Sequence, residues 1–155
     1  MRCRWRELLV SGAALAAAEP GAAQQVREIG VQAIGTFSEP GLAVAGIYGG
    51  LRTPGRTRLS GSLGVGLSGD DLSWRGEVLG HFLLSPEERR KNGFYLAGGL
   101  AAVGGRVSRG YLVFAVGLEE RPRAASGWAA EVGMGGGVRL ALGYRWRRFP
   151  AIERE

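Results

Sequence analysis

The stretch Val138-Arg-Leu-Ala-Leu-Gly-Tyr-Arg-Trp146 has a large apolar side chain at every second position, with a small or charged residue between each pair. Successive side chains of a β-strand point to opposite faces of a sheet. The stretch therefore predicts a strand with one bulky apolar face and one small, sparsely charged face. Seven further stretches show the same period of two, beginning with a strand of roughly residues 27–37. The second stretch, residues 42–52, alternates most weakly, and its faces stay unassigned.

Turn-forming residues separate the eight stretches. Ser38-Glu39-Pro40-Gly41, Thr53-Pro54-Gly55 and Gly135-Gly136-Gly137 are short turns, and residues 85–93 and 119–127 are longer connections. Consecutive strands joined by short turns pair in an antiparallel manner. Each stretch has about ten residues, which is the length that a tilted strand needs to cross a bilayer.

The two faces of these strands differ from those of a water-soluble sheet. Such a sheet buries its large residues and covers its outer face with polar ones, whereas here the second face is too small and too poor in charge to meet water. It suits the narrow interior of a barrel whose large apolar residues meet lipid. An open sheet of this kind would aggregate, which favours closure. The sequence therefore predicts an all-β fold, an eight-stranded antiparallel up-and-down transmembrane β-barrel.

Composition agrees with one such domain. The chain has 155 residues, of which 28 are glycine, and it is 45% apolar. Its mean hydropathy of -0.01 excludes a helical protein with several membrane spans, while a transmembrane barrel averages near neutral because its two faces alternate. The net charge is +6, but the arginines are scattered through turns and alternate strand positions. This distribution argues against a nucleic-acid partner.

The beginning of the chain predicts a secretory signal peptide of residues 1–23, followed by a barrel domain of residues 24–155. Three arginines among the first six residues precede an apolar core at residues 8–18, which is too short to span a bilayer. The only cysteine is Cys3, inside this segment. The mature chain is therefore expected to form no disulfide and no cysteine metal site.

Outward-facing aromatic residues are expected to form two girdles at the lipid interface, if both termini lie on the periplasmic side. Phe37 and Trp74 then fall near the outer end. The others fall near the periplasmic end: Phe82, Phe94, Trp128, Tyr144 and Trp146.

These features together resemble the small eight-stranded bacterial outer-membrane barrels, the class of the OmpA membrane domain and OmpX. The resemblance is one of pattern and covers about residues 26–149. It implies that the barrel-assembly machinery reads the last strand, whose terminal aromatic would be Tyr144, Trp146 or Phe149. The chain departs from the class because residues 147–155 follow that strand, and because its longer connections fall on the periplasmic side. The second departure puts a loop-based adhesion or receptor role in doubt.

Ionisable residues on the small face are predicted to form a charge network in the lumen. A charge in a narrow protein interior must be paired or hydrated. We expect Glu131 to meet Arg139 across the last hairpin, and Glu28 to meet Arg145 or Arg147 where the barrel closes. Pairs that plug the lumen are favoured over a conducting pore, because eight strands leave room for little more than side chains. The expected network is Glu28, Arg58, Arg75, Glu77, His81, Glu119, Glu131, Arg139, Arg145 and Arg147.

Three functions remain open, of which the first is favoured. It is a non-enzymatic outer-membrane protein with a structural or interaction role in the Gram-negative envelope, monomeric, with lipid as its partner and without cofactor or metal. The second is a soluble periplasmic barrel that binds an apolar ligand. The third is a lipid A-modifying barrel enzyme, since some barrels of the class resembled carry a Ser, His and acidic triad. His81, Ser85 and Glu77 fit it poorly, because residues four apart on a strand are about 13 Å apart.

Overall fold

The computed structural model describes residues 25–84, 86, 91–106 and 108–149. The expected signal peptide, residues 1–23, lies outside the described residues. Within them the chain forms eight strands, and no helix is long and apolar enough to span a membrane. The strands are β1 (Val26–Phe37), β2 (Leu42–Arg52), β3 (Thr57–Ser68), β4 (Asp71–Leu83), β5 (Gly93–Gly104), β6 (Arg109–Glu119), β7 (Ser126–Met134) and β8 (Val138–Arg148).

The sheet closes on itself. Every strand pairs antiparallel with its sequence neighbours, and β8 pairs antiparallel with β1. The closing register runs from Arg27 opposite Arg148 to Phe37 opposite Val138. The predicted fold, an eight-stranded antiparallel up-and-down barrel, is confirmed.

The two ends of the barrel differ in their connections. The start of β1 and the end of β8 lie at one end, which we call the terminus end, and the opposite end is called the distal end. The two longer connections, between β4 and β5 and between β6 and β7, lie at the terminus end. The distal end carries short turns, and the shortest is Gly69-Asp70 between β3 and β4. In the turn from Gly135 to Gly137, Gly136 (φ 83°) and Gly137 (φ 133°) adopt backbone angles that favour glycine.

Large apolar side chains cover the outside of the barrel. Leu140, Val116 and Trp128 are 44%, 49% and 53% exposed, whereas inward Arg139 and Tyr95 are fully buried. This is the reverse of a soluble barrel, where the apolar residues fill the interior. The alternation read from the sequence therefore sets which face each residue occupies.

The weakly alternating strand β2 is apolar on both faces. Val44 and Tyr48 point inward and are buried, while Ala43, Ala45 and Ile47 point outward. Because neither face is polar along most of its length, its period of two is hard to see in the sequence. Its register with β1, not its composition, fixes its orientation.

Two inward glycines allow close approach inside the barrel. Gly46 lies opposite Gly64, and a Cβ atom at Gly46 would collide with the backbone of β3 at Leu63 and Gly64. Gly117 lies opposite Tyr95, and a Cβ there would collide with the Tyr95 ring. The second glycine thus makes room for a large aromatic side chain in the lumen.

Candidate functional site: the charged lumen

The ten ionisable residues expected in the lumen all point inward, and none is more than 6% exposed. Their strands alternate in the expected phase, so each places its charge on the inner face. Two groups of ion pairs form, one towards each end of the barrel, and a single arginine joins them.

The distal cluster consists of Arg75, Glu77, Glu131 and Arg139. Arg139 donates to both carboxylate oxygens of Glu77, from Nε at 3.0 Å and from Nη2 at 2.7 Å. Its Nη1 donates to Glu131 Oε2 at 2.8 Å, across the last hairpin. Arg75 Nε donates to Glu77 Oε1 at 2.6 Å. Two carboxylates and two guanidinium groups therefore balance in short, charge-assisted hydrogen bonds.

The basal cluster, towards the terminus end, consists of Glu28, Arg52, Arg58, Glu119 and Arg147. Glu119 lies 2.8 Å from Arg58, 3.3 Å from Arg147 and 3.6 Å from Arg52. Glu28 lies 3.4 Å from both Arg58 and Arg147, the latter across the seam where the barrel closes. Arg147, not Arg145, is thus the ion-pair partner of Glu28. Longer separations than in the distal cluster leave buried polar atoms without a hydrogen bond, among them Glu28 Oε1, Arg58 Nε and Arg147 Nε.

Arg145 joins the two clusters. Its Nη2 donates to Glu131 Oε1 at 3.1 Å, and its Nη1 lies 3.9 Å from Glu119 Oε2. The guanidinium lies 4.4 Å from the ring centre of Tyr48 and 5.7 Å from that of Tyr95. Tyr95 also donates its hydroxyl to Glu131 at 2.7 Å. A continuous chain of contacts therefore runs along the lumen from Arg75 to Arg52.

The network carries more positive than negative charge. Counted over the described lumen residues, six arginines face four glutamates, and the excess lies in Arg145 and the basal cluster. Tyrosine faces and backbone carbonyls take up part of this excess. Arg58 lies 4.7 Å from the Tyr95 ring centre, and Arg52 donates to the Pro122 carbonyl at 3.0 Å.

A cavity of about 460 Å³ opens at the distal end and stops at the distal cluster. Asp71, Arg106 and Tyr111 belong to its wall, and Arg75 also lines it. Arg75 is 1% exposed and is bound to Glu77 and to the Gly135 carbonyl. The cavity therefore ends, on its inner side, at the ion pair of Arg75 with Glu77.

Sequence reasoning missed three members of the site. Tyr48 and Arg52 lie on β2, whose face was unassigned, although Arg52 is 4% exposed and pairs with Glu119. Tyr95 alternates with Phe94 and Leu96 on β5, but nothing in the sequence marks it as a member of the network. One signal was available: once β2 is paired with β1, Tyr48 and Arg52 fall in the phase of Val44, on one face.

His81 lies in the basal half beside Ser60, a serine that the sequence did not single out. The Ser60 Oγ is 2.7 Å from His81 Nε2, and the Arg58 Nη2 is 3.1 Å from His81 Nδ1. Because a guanidinium can only donate, Nδ1 must accept, and a neutral imidazole then carries its proton on Nε2. His81 therefore donates to Ser60 and has no free lone pair there to remove the hydroxyl proton. This hydrogen bond runs in the opposite direction to that of a nucleophile–base pair, in which the hydroxyl donates to the imidazole.

The seven aromatic residues expected at the lipid interface lie on the outer side of their strands. Six are between 42% and 67% exposed, and Tyr144 is half-buried. Tyr144 packs edge-on against Trp128 at 5.0 Å and against Trp146 at 5.2 Å, and its hydroxyl lies 2.8 Å from Ser126 Oγ. Phe37 and Trp74 lie towards the distal end, and the remaining five lie towards the terminus end.

Comparison with known proteins supports the fold. The N-terminal β-barrel domain of Pseudomonas aeruginosa OprF superposes with a TM-score of 0.62 and 14% identity, over 78% of this chain and 97% of that chain. Neisserial surface protein A superposes with a TM-score of 0.51 and 12% identity, over 79% of this chain and 96% of that chain. No protein-family model and no curated protein matches the sequence. At these identities the likeness establishes the fold alone, and it confirms the resemblance to small outer-membrane barrels.

Proposed function

We propose that the chain is a non-enzymatic outer-membrane β-barrel protein of the Gram-negative cell envelope, with a structural or interaction role and a lumen closed by ion pairs. The observation that carries this proposal is the band of bulky apolar side chains around the outside of a closed sheet. Val65, Leu100 and Leu112, on three different strands, are each more than 60% exposed. Water is a poor solvent for a continuous apolar surface of this kind, and hydrocarbon is a good one.

The placement of the two faces argues against the alternative of a soluble barrel that binds an apolar ligand. A barrel that binds an apolar ligand needs an apolar interior, but the lumen here contains Arg58, Glu119 and Arg139 with their partners. Its outside would also need polar cover. Two barrels of known structure that share the fold are an OprF barrel domain and a Neisserial surface protein, which agrees with an envelope location.

The ion-pair network supports a closed lumen. Arg139 is bound to two glutamates at 2.7–3.0 Å, and Arg145 spans the space between the clusters. An ion crossing the barrel would have to break several charge-assisted hydrogen bonds in a medium of low dielectric constant. We therefore assign the network to stability and closure of the barrel and not to conduction.

The partners follow from the same reasoning. Lipid surrounds the outer face, and the terminus end of the barrel faces the periplasm. The barrel-assembly machinery recognises the last strand through Tyr144, Trp146 or Phe149. The barrel functions as a monomer, without cofactor, metal or nucleic acid.

Fractionation tests the location. The full chain is expressed in a Gram-negative host, and membranes are separated by density and extracted with detergent. We expect the protein in the outer-membrane fraction, with gel mobility that changes on boiling because a folded barrel resists cold SDS. Recovery in the soluble periplasmic fraction would overturn the proposal.

Two further measurements address closure and catalysis. Planar bilayers containing the purified barrel should show no steady conductance, and a stable open level would contradict the closed lumen. Lipid A incubated with the protein should keep its acyl chains. Acyl hydrolysis that disappears in both Ser60→Ala and His81→Ala would establish the enzyme alternative.

A further inference from the structure

Two arginines face each other on the outside of the barrel at the terminus end. Arg27 of β1 and Arg148 of β8 are direct register partners at the seam, and both are exposed. Neither side chain forms an ion pair or hydrogen bond within the described part of the chain. Like charges placed directly opposite on one face of a sheet repel each other. The pair therefore favours an anionic partner placed between the two guanidinium groups.

The pair lies next to an aromatic cluster. Trp146 precedes Arg148 by two residues on the same face, which is about 7 Å along a strand. Trp146 is 49% exposed and packs against Tyr144. Aromatic rings of this kind sit at the headgroup level of a membrane. The arginines then lie one step further from the hydrocarbon, at the depth of lipid phosphates.

The charged rims of the barrel differ at its two ends. Counted over the described residues outside the lumen, the terminus end has six basic residues and one acidic residue, namely Arg27, Arg56, Lys91, Arg121, Arg123, Arg148 and Glu120. The distal end has two basic and three acidic residues, namely Arg106, Arg109, Glu39, Asp70 and Asp71. The excess positive charge of the lumen lies towards the same terminus end. Of the two rims, as far as their residues are described, only the one at the terminus end is complementary to a negatively charged surface.

We propose that the terminus-end rim, centred on Arg27 and Arg148 beside Trp146, is a docking surface for anionic phospholipid of the periplasm-facing leaflet. Guanidinium groups bind phosphate oxygens through paired N–H donors. Trp146 adds apolar contact with the glycerol and acyl region of the same lipid. This inference rests on the proposed function, because it requires the barrel to be inserted in a bilayer.

Competitive fluorescence quenching tests the docking surface. The barrel is purified from membranes in a Trp74→Phe background, which leaves Trp128 and Trp146 as the reporters on the strands, and is reconstituted into phosphatidylcholine vesicles. Brominated phosphatidylglycerol or brominated phosphatidylcholine is then added at increasing mole fraction. We expect the affinity of phosphatidylglycerol for the barrel to be about tenfold higher than that of phosphatidylcholine, because two arginines lie near its anionic headgroup. Arg27→Gln with Arg148→Gln should bring the ratio close to one.

A matched control removes the same charge at the other end. Arg106→Gln with Arg109→Gln should keep the tenfold ratio. Millimolar inorganic phosphate should not displace the lipid, since the surface requires headgroup and acyl chain together. An unchanged ratio in the Arg27/Arg148 variant, a ratio of one in the parent, or displacement by phosphate would each overturn the inference.

The two proposals fail in different ways. A parent barrel that does not insert, judged by its heat-modifiable mobility, contradicts the proposed function. A parent barrel that inserts and is quenched equally by both lipids contradicts only the docking surface. Equal mobility of all variants shows that a changed ratio reflects headgroup binding and not misfolding.

Discussion

Glu119 contacts more guanidinium groups than any other carboxylate among the described residues. Four arginines lie within 4 Å of it: Arg52, Arg58, Arg145 and Arg147. Its neighbour in the chain, Glu120, is half-exposed at the rim, where its carboxylate pairs with Arg121 at 2.8 Å and accepts a long hydrogen bond from the Trp128 amide at 3.5 Å. Glu119, the buried counter-ion of four arginines, and Glu120, in a partly exposed ion pair, are thus adjacent residues whose substitutions can be compared directly.

Glu119→Gln is expected to destabilise the barrel by about 3–5 kcal/mol, because it leaves buried guanidinium groups without their counter-charge. Glu120→Gln should cost at most about 1 kcal/mol, since an exposed pair contributes little. Urea unfolding in vesicles, followed by tryptophan fluorescence, measures both. Similar losses of unfolding free energy for the two variants would contradict the role of Glu119 as the shared counter-ion of the buried arginines.

Inward glycines leave space in the lumen for the large side chains of neighbouring strands. Gly117→Ala is expected to destabilise the barrel by about 1–3 kcal/mol, because its Cβ would push against the Tyr95 ring. That shift would also disturb the hydrogen bond from Tyr95 to Glu131. The control is Gly49→Ala, an outward position whose Cβ would meet nothing within 4 Å, and it should be close to neutral. The same unfolding assay tells the two apart.

Strand β8 separates two environments, the outer surface of the barrel and its packed lumen. Leu140 is 44% exposed on the outer face, and its neighbour Ala141 is 9% exposed inside. Leu140→Arg should cost about 2–4 kcal/mol, the range for a charge near mid-membrane, and Val116→Arg on β6 should behave alike. Ala141→Ser should be mild. Equal losses on both faces, measured by urea midpoints, would argue against hydrocarbon as the outer solvent.

The elements also mark how far the sequence alone can lead. The phase of seven strands was readable because large and small residues alternate, and the inward direction of Arg139 and Glu131 followed from it. The phase of β2 was not readable, since Val44 and Ile47 are both large, apolar and on opposite faces. Closure of β8 on β1 made the pairing of Glu28 with Arg145 or Arg147 predictable, but the other ion pairs between distant strands were not readable. The contact of Arg58 with Glu119 depends on the shape of the closed barrel, which no local pattern encodes.

Closure of the sheet leaves no strand edge unpaired among the eight strands. A chain ending at Gly137 lacks β8 and would leave β1 and β7 with unpaired backbone groups. We expect this truncation to be absent from the outer-membrane fraction and to accumulate as an aggregate. A chain ending at Phe149 keeps all eight strands and should insert normally. Failure of the Phe149 chain to insert would show that residues 150–155 are needed for assembly.

The pairing of the first strand with the last also sets an order in time. Glu28 and Arg147 are separated by nearly the whole barrel sequence, yet they lie opposite each other across the seam. Contacts of such high sequence separation form slowly, because the chain loses the entropy of closing a long loop before these contacts contribute any stabilisation. The early strands therefore wait for the final one, and throughout that interval their unpaired edges can pair with other chains.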